Sequence, residues 1–469
     1  MSGFRFLFIN AIDIVQGSNN YPPLGIGYLI SMLRSRFGDD FIEFKSIEDK
    51  IDDEIRSFKP DIVGISSVSP NFNRAIEYAK TVKKYDLPVI VGGVHITMLP
   101  DSLTGDMDVG VLGEGEETIC ELVELFKAGD LFDEARLMGV EGIVFRGKKG
   151  VLHTTPRRKL IEPLDSIPMT SRDTMTISPH TYMFTSRGCP YKCIFCSSTR
   201  YWDKVRLHSA EYVVDEIEFL VNEYNVESIY FCDDIFVISV RRTEEILRLL
   251  KERGLLGKVS FTCACRSNMV NEKNIAVLRE LGVTLITMGF ESGCDKTLAY
   301  LKDSQTSVET HERAIRIIRE NDIEVMGGFI IGAPEESRED IENTIGFIKR
   351  NRLVNASIYP LTPLPGTPLW DYAKGRGLVE DKMDWDLLSF TEFLHDVDIT
   401  INLSESLSRE DLFGYIQSFR SWRRGAIFKS LIKKAVMDPF KIPEVTLFFV
   451  EKMKDRVKRW SLVRKPAAH

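Results

Sequence analysis

The run Arg187-Gly188-Cys189-Pro190-Tyr191-Lys192-Cys193-Ile194-Phe195-Cys196 places three cysteines within eight residues, beside a glycine and a proline. A mononuclear zinc site closes its shell with four protein ligands. Here no fourth cysteine or histidine follows at finger-like spacing, and the next cysteine, Cys232, lies 36 residues on. Three thiolates so arranged suit three corners of a four-iron four-sulfur cube whose fourth iron stays open to a substrate. Plainer readings stand beside this one: chance clustering among the eight cysteines of the chain, a zinc loop that borrows a distant ligand, and a structural disulfide. The disulfide is disfavoured, since the cysteines form no small stapled scaffold and no secretory signal precedes the fold.

Downstream, strand-like and helix-like stretches alternate, the pattern of parallel βα units. Helical spacing runs over Glu211 to Tyr224, Thr243 to Lys251, Glu272 to Leu281, Val308 to Asn321 and Arg338 to Arg350. Apolar runs at Ser228 to Cys232, Val259 to Cys265, Leu285 to Phe290, Val325 to Ile331 and Ala356 to Tyr359 read as strands. Several end in polar or glycine residues: Asp233-Asp234, Arg266, Glu291-Ser292-Gly293 and Gly332-Ala333-Pro334-Glu335. In barrels of this kind the carboxyl rim is where ligands bind.

Cys189, Cys193, Phe195 and Cys196 match the signature of the radical S-adenosylmethionine enzymes, Cys-x-x-x-Cys-x-x-Cys with an aromatic before the last cysteine, and the chain resembles that family. The resemblance implies a partial (β/α)6 TIM-like barrel, with Cys189, Cys193 and Cys196 holding a 4Fe-4S cluster. It also implies that Phe195, Asp233, Asp234, Arg266, Glu291, Ser292 and Gly332 meet S-adenosylmethionine. Asp233-Asp234 stands where many members have Gly-Gly-Glu, and Gly327 to Glu335 is similar to the segment whose backbone stacks on adenine. A zwitterionic amino acid, a ribose and a purine call for acids, donors and close glycine backbone at such a rim.

The first 150 residues repeat strand, glycine or serine loop, helix: strands at Phe4 to Asn10, Asp61 to Ser66, Val89 to Val91 and Val109 to Leu112, helices at Leu24 to Phe37 and Glu117 to Lys127. That is the pattern of a doubly wound, Rossmann-like α/β sheet. No loop has Gly-x-Gly-x-x-Gly spacing, so a dinucleotide is not favoured. Pro22-Pro23-Leu24-Gly25, Ser66-Ser67, Gly92-Gly93-Val94-His95 and Gly113-Glu114-Gly115-Glu116 resemble the cobalamin-binding domain that precedes the barrel in one large subgroup. The implied cobalamin contacts are Leu24, Gly25, Ser66, Ser67, Val68, Gly92, Gly93, Val94, His95, Gly113, Glu114, Gly115 and Glu116. Asp13-Ile14-Val15-Gln16-Gly17 lacks the histidine that coordinates cobalt in many cobalamin proteins, so no lower ligand is expected from this loop. His95 reads as a hydrogen-bonding loop residue facing the cofactor tail, with cobalt ligation as the sharper alternative; His208 and His311 read as surface residues.

The expected division is 1–145 cobalamin-binding domain, 146–174 linker, 175–400 barrel and 401–469 a basic α-helical C-terminal region. Pro156, Pro163 and Pro168 mark the linker, and Glu162 to Pro168 is familiar from the subgroup, as is Thr362 to Pro368 at the rim. A hydrophobic content of 43% supplies cores for several domains, and a net charge of -8 gives no reason to expect nucleic acid. No run of about 18 apolar residues predicts a membrane span, and an amino terminus that opens in a strand leads us to expect the cytoplasm. From Arg409 onward fifteen Lys and Arg face six Asp and Glu. Leu412 to Phe428 and Val445 to Trp460 mix aromatic, aliphatic and basic residues. The plain reading is a helical cap on the barrel; the sharper one is an interfacial helix making peripheral membrane contact.

The resemblance implies an enzyme that cleaves S-adenosylmethionine reductively to a 5'-deoxyadenosyl radical. The radical abstracts hydrogen from an unactivated carbon, and methylcobalamin then donates a methyl group. A cyclase, oxidase or rearranging enzyme that keeps cobalamin without methyl transfer is the alternative within the class. A non-catalytic cobalamin or Fe-S sensor is the alternative outside it, and the ordered rim segments speak against it. The implied partners are a small-molecule or lipid-like substrate and a flavodoxin- or ferredoxin-type electron donor.

Overall fold

The computed structural model describes residues 4–12, 22–302, 305–389 and 401–437. A seven-stranded sheet comes first: β1 (Phe4–Ala11), β2 (Ile42–Ile47), β3 (Ile62–Ser67), β4 (Val89–Gly92), β5 (Val109–Val111), β6 (Ile143–Arg146) and β7 (Leu152–Thr154), in the order β2-β1-β3-β4-β5-β6-β7. β1 to β5 are parallel, and β6 and β7 add an antiparallel edge. Parallel strands covered on both faces need apolar side chains on both, which β1 supplies with Phe6, Phe8, Leu7 and Ile9. Phe6 and Phe8 pack with Ile26 and Ile30 of helix Leu24–Phe37 and with Leu122 of helix Glu116–Ala128. Leu7 and Ile9 belong to the core on the opposite face. The order 2-1-3-4-5 is the flavodoxin-like one, whose ligands lie outside the strand ends.

β7 lies inside the segment expected as linker. The turn Gly147 to Gly150 closes the β6–β7 hairpin, so the first sheet runs on to Thr154. Beyond it the chain enters a buried seam, where Ile161, Leu164 and Ile167 pack against Leu24 and Tyr28. The core on the other face of the first sheet crosses between domains, joining Phe72 and Ile96 to Trp370, Trp385 and Leu388.

β8 (His180–Met183) opens the second domain, and a two-stranded ribbon, β9 (Ser186–Arg187) with β10 (Arg206–Leu207), then brackets the cysteine loop. β11 (Ser228–Phe231), β12 (Ser260–Cys265), β13 (Val283–Glu291), β14 (Glu324–Ile331) and β15 (Ser357–Pro360) complete a six-stranded parallel sheet in the order β15-β14-β13-β12-β11-β8. This is the partial barrel, with Phe231, Phe261, Phe290 and Phe329 turned onto the surrounding helices. β8 was not visible in the sequence, because His-Thr-Tyr-Met is short and lacks an apolar run. The helices start at side-chain caps, Ser209, Ser239, Asn271, Ser307 and Ser337, each accepting from a backbone N–H of the first turn. Such caps contribute about 1 kcal/mol each.

His208 and His311 are corrections, since both are buried rather than superficial. His208 precedes helix Ala210–Tyr224, lies 2.9 Å from Asp165 and stacks on Tyr212. His311 shares the inward face of helix Val308–Glu320 with Ile315 and Ile318, between Ser267 Oγ at 2.8 Å and the Phe290 carbonyl at 3.1 Å. Burial pushes their imidazoles down, to about 4 and about 3, so both are neutral at pH 7.

Helix Arg409–Met437 caps the barrel through Leu412, Ile416 and Phe419, with Trp422 packed against the same core. Val445 to Trp460 lies outside the described residues. Among those described, no helix is long and apolar enough to cross a membrane.

Candidate functional site

The cysteine loop leaves β9 through Gly188, whose φ of +94° belongs to the left-handed region. A Cβ there would lie 2.6 Å from the Lys204 carbonyl, so glycine is required for the loop to fold back over the ribbon. Cys189, Cys193 and Cys196 are half-buried and outside any disulfide. Burial pushes the Cys189 thiol up to about 11, and Asp234, Cys196 and Cys193 add to the effect, which makes these three groups its electrostatic neighbours. Among the described residues no group of three His, Cys, Asp or Glu is placed to hold a single metal ion. Three soft sulfur donors within eight residues, with no fourth protein ligand grouped with them among the described residues, fit a cube cluster better than zinc.

Two of the expected cofactor contacts, Arg266 and Phe195, also hold this loop in place. Arg266 stacks its guanidinium 3.6 Å from the centre of the Tyr191 ring. Phe195 packs with Ile194 against the core shared between the domains. Ile194 N–H donates to the Leu301 carbonyl, and Tyr191 accepts from Asn268 at 3.0 Å.

The rim residues divide in the same way. Asp233 is buried and accepts from Thr185 N–H at 2.6 Å, Ser186 N–H at 3.0 Å and the Thr185 hydroxyl, so it pins β9 rather than facing a ligand. Asp234 lines open space and accepts from Ser198 Oγ at 2.6 Å. Glu291, at φ +66°, pairs with Lys302 at 3.3 Å. Ser292 turns inward, its hydroxyl 2.9 Å from Thr344. Gly332, at φ +92°, gives its N–H to Glu336 at 2.6 Å and packs on Leu412.

A cavity of about 510 Å³ opens at the strand ends of the first sheet and is closed on its far side by the barrel. Ser66, Ser67 and Val68 follow from β3, Gly92, Gly93 and Val94 from β4, and Gly113, Glu114, Gly115 and Glu116 from β5; Gly25 completes that wall. Opposite stand Arg187, Gly188, Ser197, Ser198, Cys232 and Asp234. Gly25 has open space where a Cβ would project. At Gly93, φ +105°, a Cβ would collide with the Ser67 carbonyl, so the β3 and β4 loops touch only because of glycine. A large cradle of glycine backbone and apolar walls fits a bulky, largely neutral cofactor such as cobalamin.

Two expected contacts lie elsewhere. Leu24 is packed in the seam with Ile161 and Leu164. His95 is fully buried, stacked 3.7 Å from Phe72 and edge-on to Trp385 at 4.3 Å, its Nδ1 3.0 Å from Ser69 Oγ. Burial lowers its imidazole to about 3, and it does not line the cavity. Asp13 to Gly17 lies outside the described residues.

Sequence reasoning missed Arg187, Ser198, Tyr201, Trp202 and Arg206. Arg187 bridges Glu114 and Glu116, both at 2.5 Å, and Arg206 holds Glu114 at 2.8 Å. Burial would raise the Glu114 carboxyl, but Arg206, Arg187 and the Ile161 N–H outweigh it and hold it below the usual range. A signal existed: charges two residues before and ten after the cysteines, and two acids in a glycine loop, each had to find a partner.

The family described as the radical SAM superfamily matches residues 183–348, and the B12 binding domain matches residues 12–123. The chain is 34% identical over 393 residues to an uncharacterized methyltransferase of Pyrococcus horikoshii, covering 80% of this chain and 83% of that protein. It is 29% identical to an anaerobic magnesium-protoporphyrin IX monomethyl ester cyclase of Cereibacter sphaeroides, covering 79% of this chain and 63% of that one. In fold it is similar to the cobalamin-dependent S-adenosylmethionine radical enzyme OxsB, solved with aqua-cobalamin and S-adenosylmethionine bound. There the TM-score is 0.72 at 17% identity, over 98% of this chain and 72% of that one.

Proposed function

The chain belongs to the radical SAM superfamily, with a B12 binding domain ahead of the barrel, and on that premise we propose that it is a cobalamin-dependent C-methyltransferase acting on an unactivated carbon. In this reading Cys189, Cys193 and Cys196 hold a 4Fe-4S cluster, Asp234 and Ser198 meet S-adenosylmethionine, and the glycine-walled cavity holds cobalamin. When bound, these groups supply a 5'-deoxyadenosyl radical for hydrogen abstraction and a methyl group for the carbon.

The observation that carries the reading is a shared wall: Asp234 and Ser198, beside the cysteine loop, line the same cavity as Gly92, Gly93 and Ser67. Reacting groups held on both sides of one shared space meet without diffusing through bulk water. Asp234 offers a carboxylate to an ammonium group, and Ser198 fixes its orientation. The buried seam and the shared core around Trp370 and Trp385 keep the two walls at a fixed separation and exclude solvent behind them.

The cyclase relative favours one second reading, a radical ring closure, oxidation or rearrangement without methyl transfer. Anaerobic reconstitution with iron, sulfide and hydroxocobalamin, then turnover with methyl-deuterated S-adenosylmethionine and a metabolite extract, separates the two. Methyl transfer yields a labelled product with 5'-deoxyadenosine; 5'-deoxyadenosine with an unlabelled product supports the second reading, and neither leaves a sensor. The substrate in this proposal is a small or lipid-like molecule, and electrons come from a flavodoxin- or ferredoxin-type donor in the cytoplasm. Peripheral membrane contact through the basic C-terminal region is tested by liposome flotation with and without residues after Asp438, and no change would remove it.

A further inference from the structure

Charges from the other domain bracket the cysteine loop on both sides. Arg187, two residues before Cys189, donates through Nη1 to Glu114 Oε1 and through Nη2 to Glu116 Oε1, both at 2.5 Å. Arg206 lies opposite Arg187 across the β9–β10 ribbon and donates to both oxygens of Glu114, at 2.8 and 3.0 Å. Trp202 stands beside both guanidiniums, its ring centre 5.6 Å from Arg187 and 5.4 Å from Arg206. Tyr201, five residues after Cys196, donates to the Gly113 carbonyl at 2.6 Å.

All four charged side chains are at least nine-tenths buried, and two acids cancel two bases. Buried pairs of this kind resist separation, because moving one partner leaves the other charge uncompensated. The acids sit on the loop that lines the cavity; the arginines sit on the strands that lead into and out of the cysteine loop. The two loops therefore move as one body.

We propose that Arg187 is a positioning residue that couples the two cofactor sites: cobalamin in the cavity and the cluster on the cysteines each strengthen the binding of the other. This rests on the cofactor assignment under the proposed function and needs no methyl transfer. Such coupling is reciprocal, and typical values run from about 5-fold to about 150-fold. The forked guanidinium is essential to it, since a lysine ammonium cannot hold two carboxylates in one plane.

The test is equilibrium dialysis of hydroxocobalamin against the full chain, anaerobically reconstituted or stripped of iron by a chelator. The expected result is affinity at least about 5-fold tighter with the cluster present, and a ratio near one in Arg187→Lys. A merely structural role would weaken binding in both states and leave the ratio unchanged. Should Arg187→Lys fail to fold by circular dichroism, Glu116→Gln, which keeps the Glu114 pairs, carries the same comparison. A wild-type ratio of one, or a wild-type-like ratio in the folded variants, overturns the coupling alone. No hydroxocobalamin binding in either state overturns the cofactor assignment with it.

Discussion

Asp233 and Asp234 are neighbours in sequence with opposite surroundings: Asp233 is buried under three donors from Thr185 and Ser186, and Asp234 faces the cavity beside Ser198. Successive residues at a strand end point to opposite sides, so one acid builds the site and the other is free to serve it. Asp234→Asn is expected to lower 5'-deoxyadenosine formation by about 100-fold or more while unfolding within about 0.5 kcal/mol of the parent. Asp233→Ala strands buried donors and should cost about 3 kcal/mol. Urea titration beside the turnover assay checks the pair; equal stability losses would contradict the division.

Gly188→Ala tests the cysteine loop. Its Cβ meets the Lys204 carbonyl and its φ is unfavourable for any side chain, a strain of about 1–3 kcal/mol. The expected outcome is iron and sulfide content well below the parent after reconstitution, with hydroxocobalamin bound about 5-fold or more weakly, as in the iron-stripped parent. Full iron content would show that the loop tolerates the shift.

Gly93→Ala tests the cavity. Separating the β4 loop from the Ser67 carbonyl should weaken hydroxocobalamin by about 10-fold or more, equivalent to about 1.4 kcal/mol. Iron content should stay at the parental level. An unchanged affinity would mean that this contact does not shape the cradle.

Glu336 carries the pH prediction. Burial raises its carboxyl to about 7, although the Gly332 and Ala333 N–H groups favour the ionised form. A raised carboxyl holds its proton in the fold after the unfolded chain has lost it. Its contribution is therefore full below about pH 4.5 and lost as pH rises through about 7, a decline of roughly 3 kcal/mol. Unfolding free energies from pH 5 to 8 should fall less steeply in Glu336→Gln, which keeps an oxygen for both N–H groups. Parallel pH profiles would contradict the assignment.

Much of the architecture was legible because period and composition report burial. Helices Leu24–Phe37, Glu272–Leu281 and Arg338–Arg350 fall where their spacing placed them, and the apolar runs became strands. β8 escaped because its alternate residues face different neighbours and leave no continuous apolar signal. His311 escaped because a histidine on a helix reads as polar until its two partners, Ser267 and the Phe290 carbonyl, are seen. Of the residues named, Asp234 and the glycine and serine loops share a cavity, Asp233 and Ser292 are buried in hydrogen bonds, Leu24 and His95 are buried in packing, and Arg266 stacks on Tyr191.

By itself the sequence determined the chemistry on offer: three thiols within eight residues, acids and glycines at successive strand ends, and two α/β units in order. These are local properties, set by spacing along the chain and by the period of each element. Only the tertiary structure decided which of two adjacent aspartates meets the cavity, and that Arg187 and Arg206 lock the cysteine loop to Glu114 and Glu116 across more than 70 residues. Long-range pairing of buried charge depends on how two sheets dock, and docking depends on the whole packed surface rather than on any one stretch.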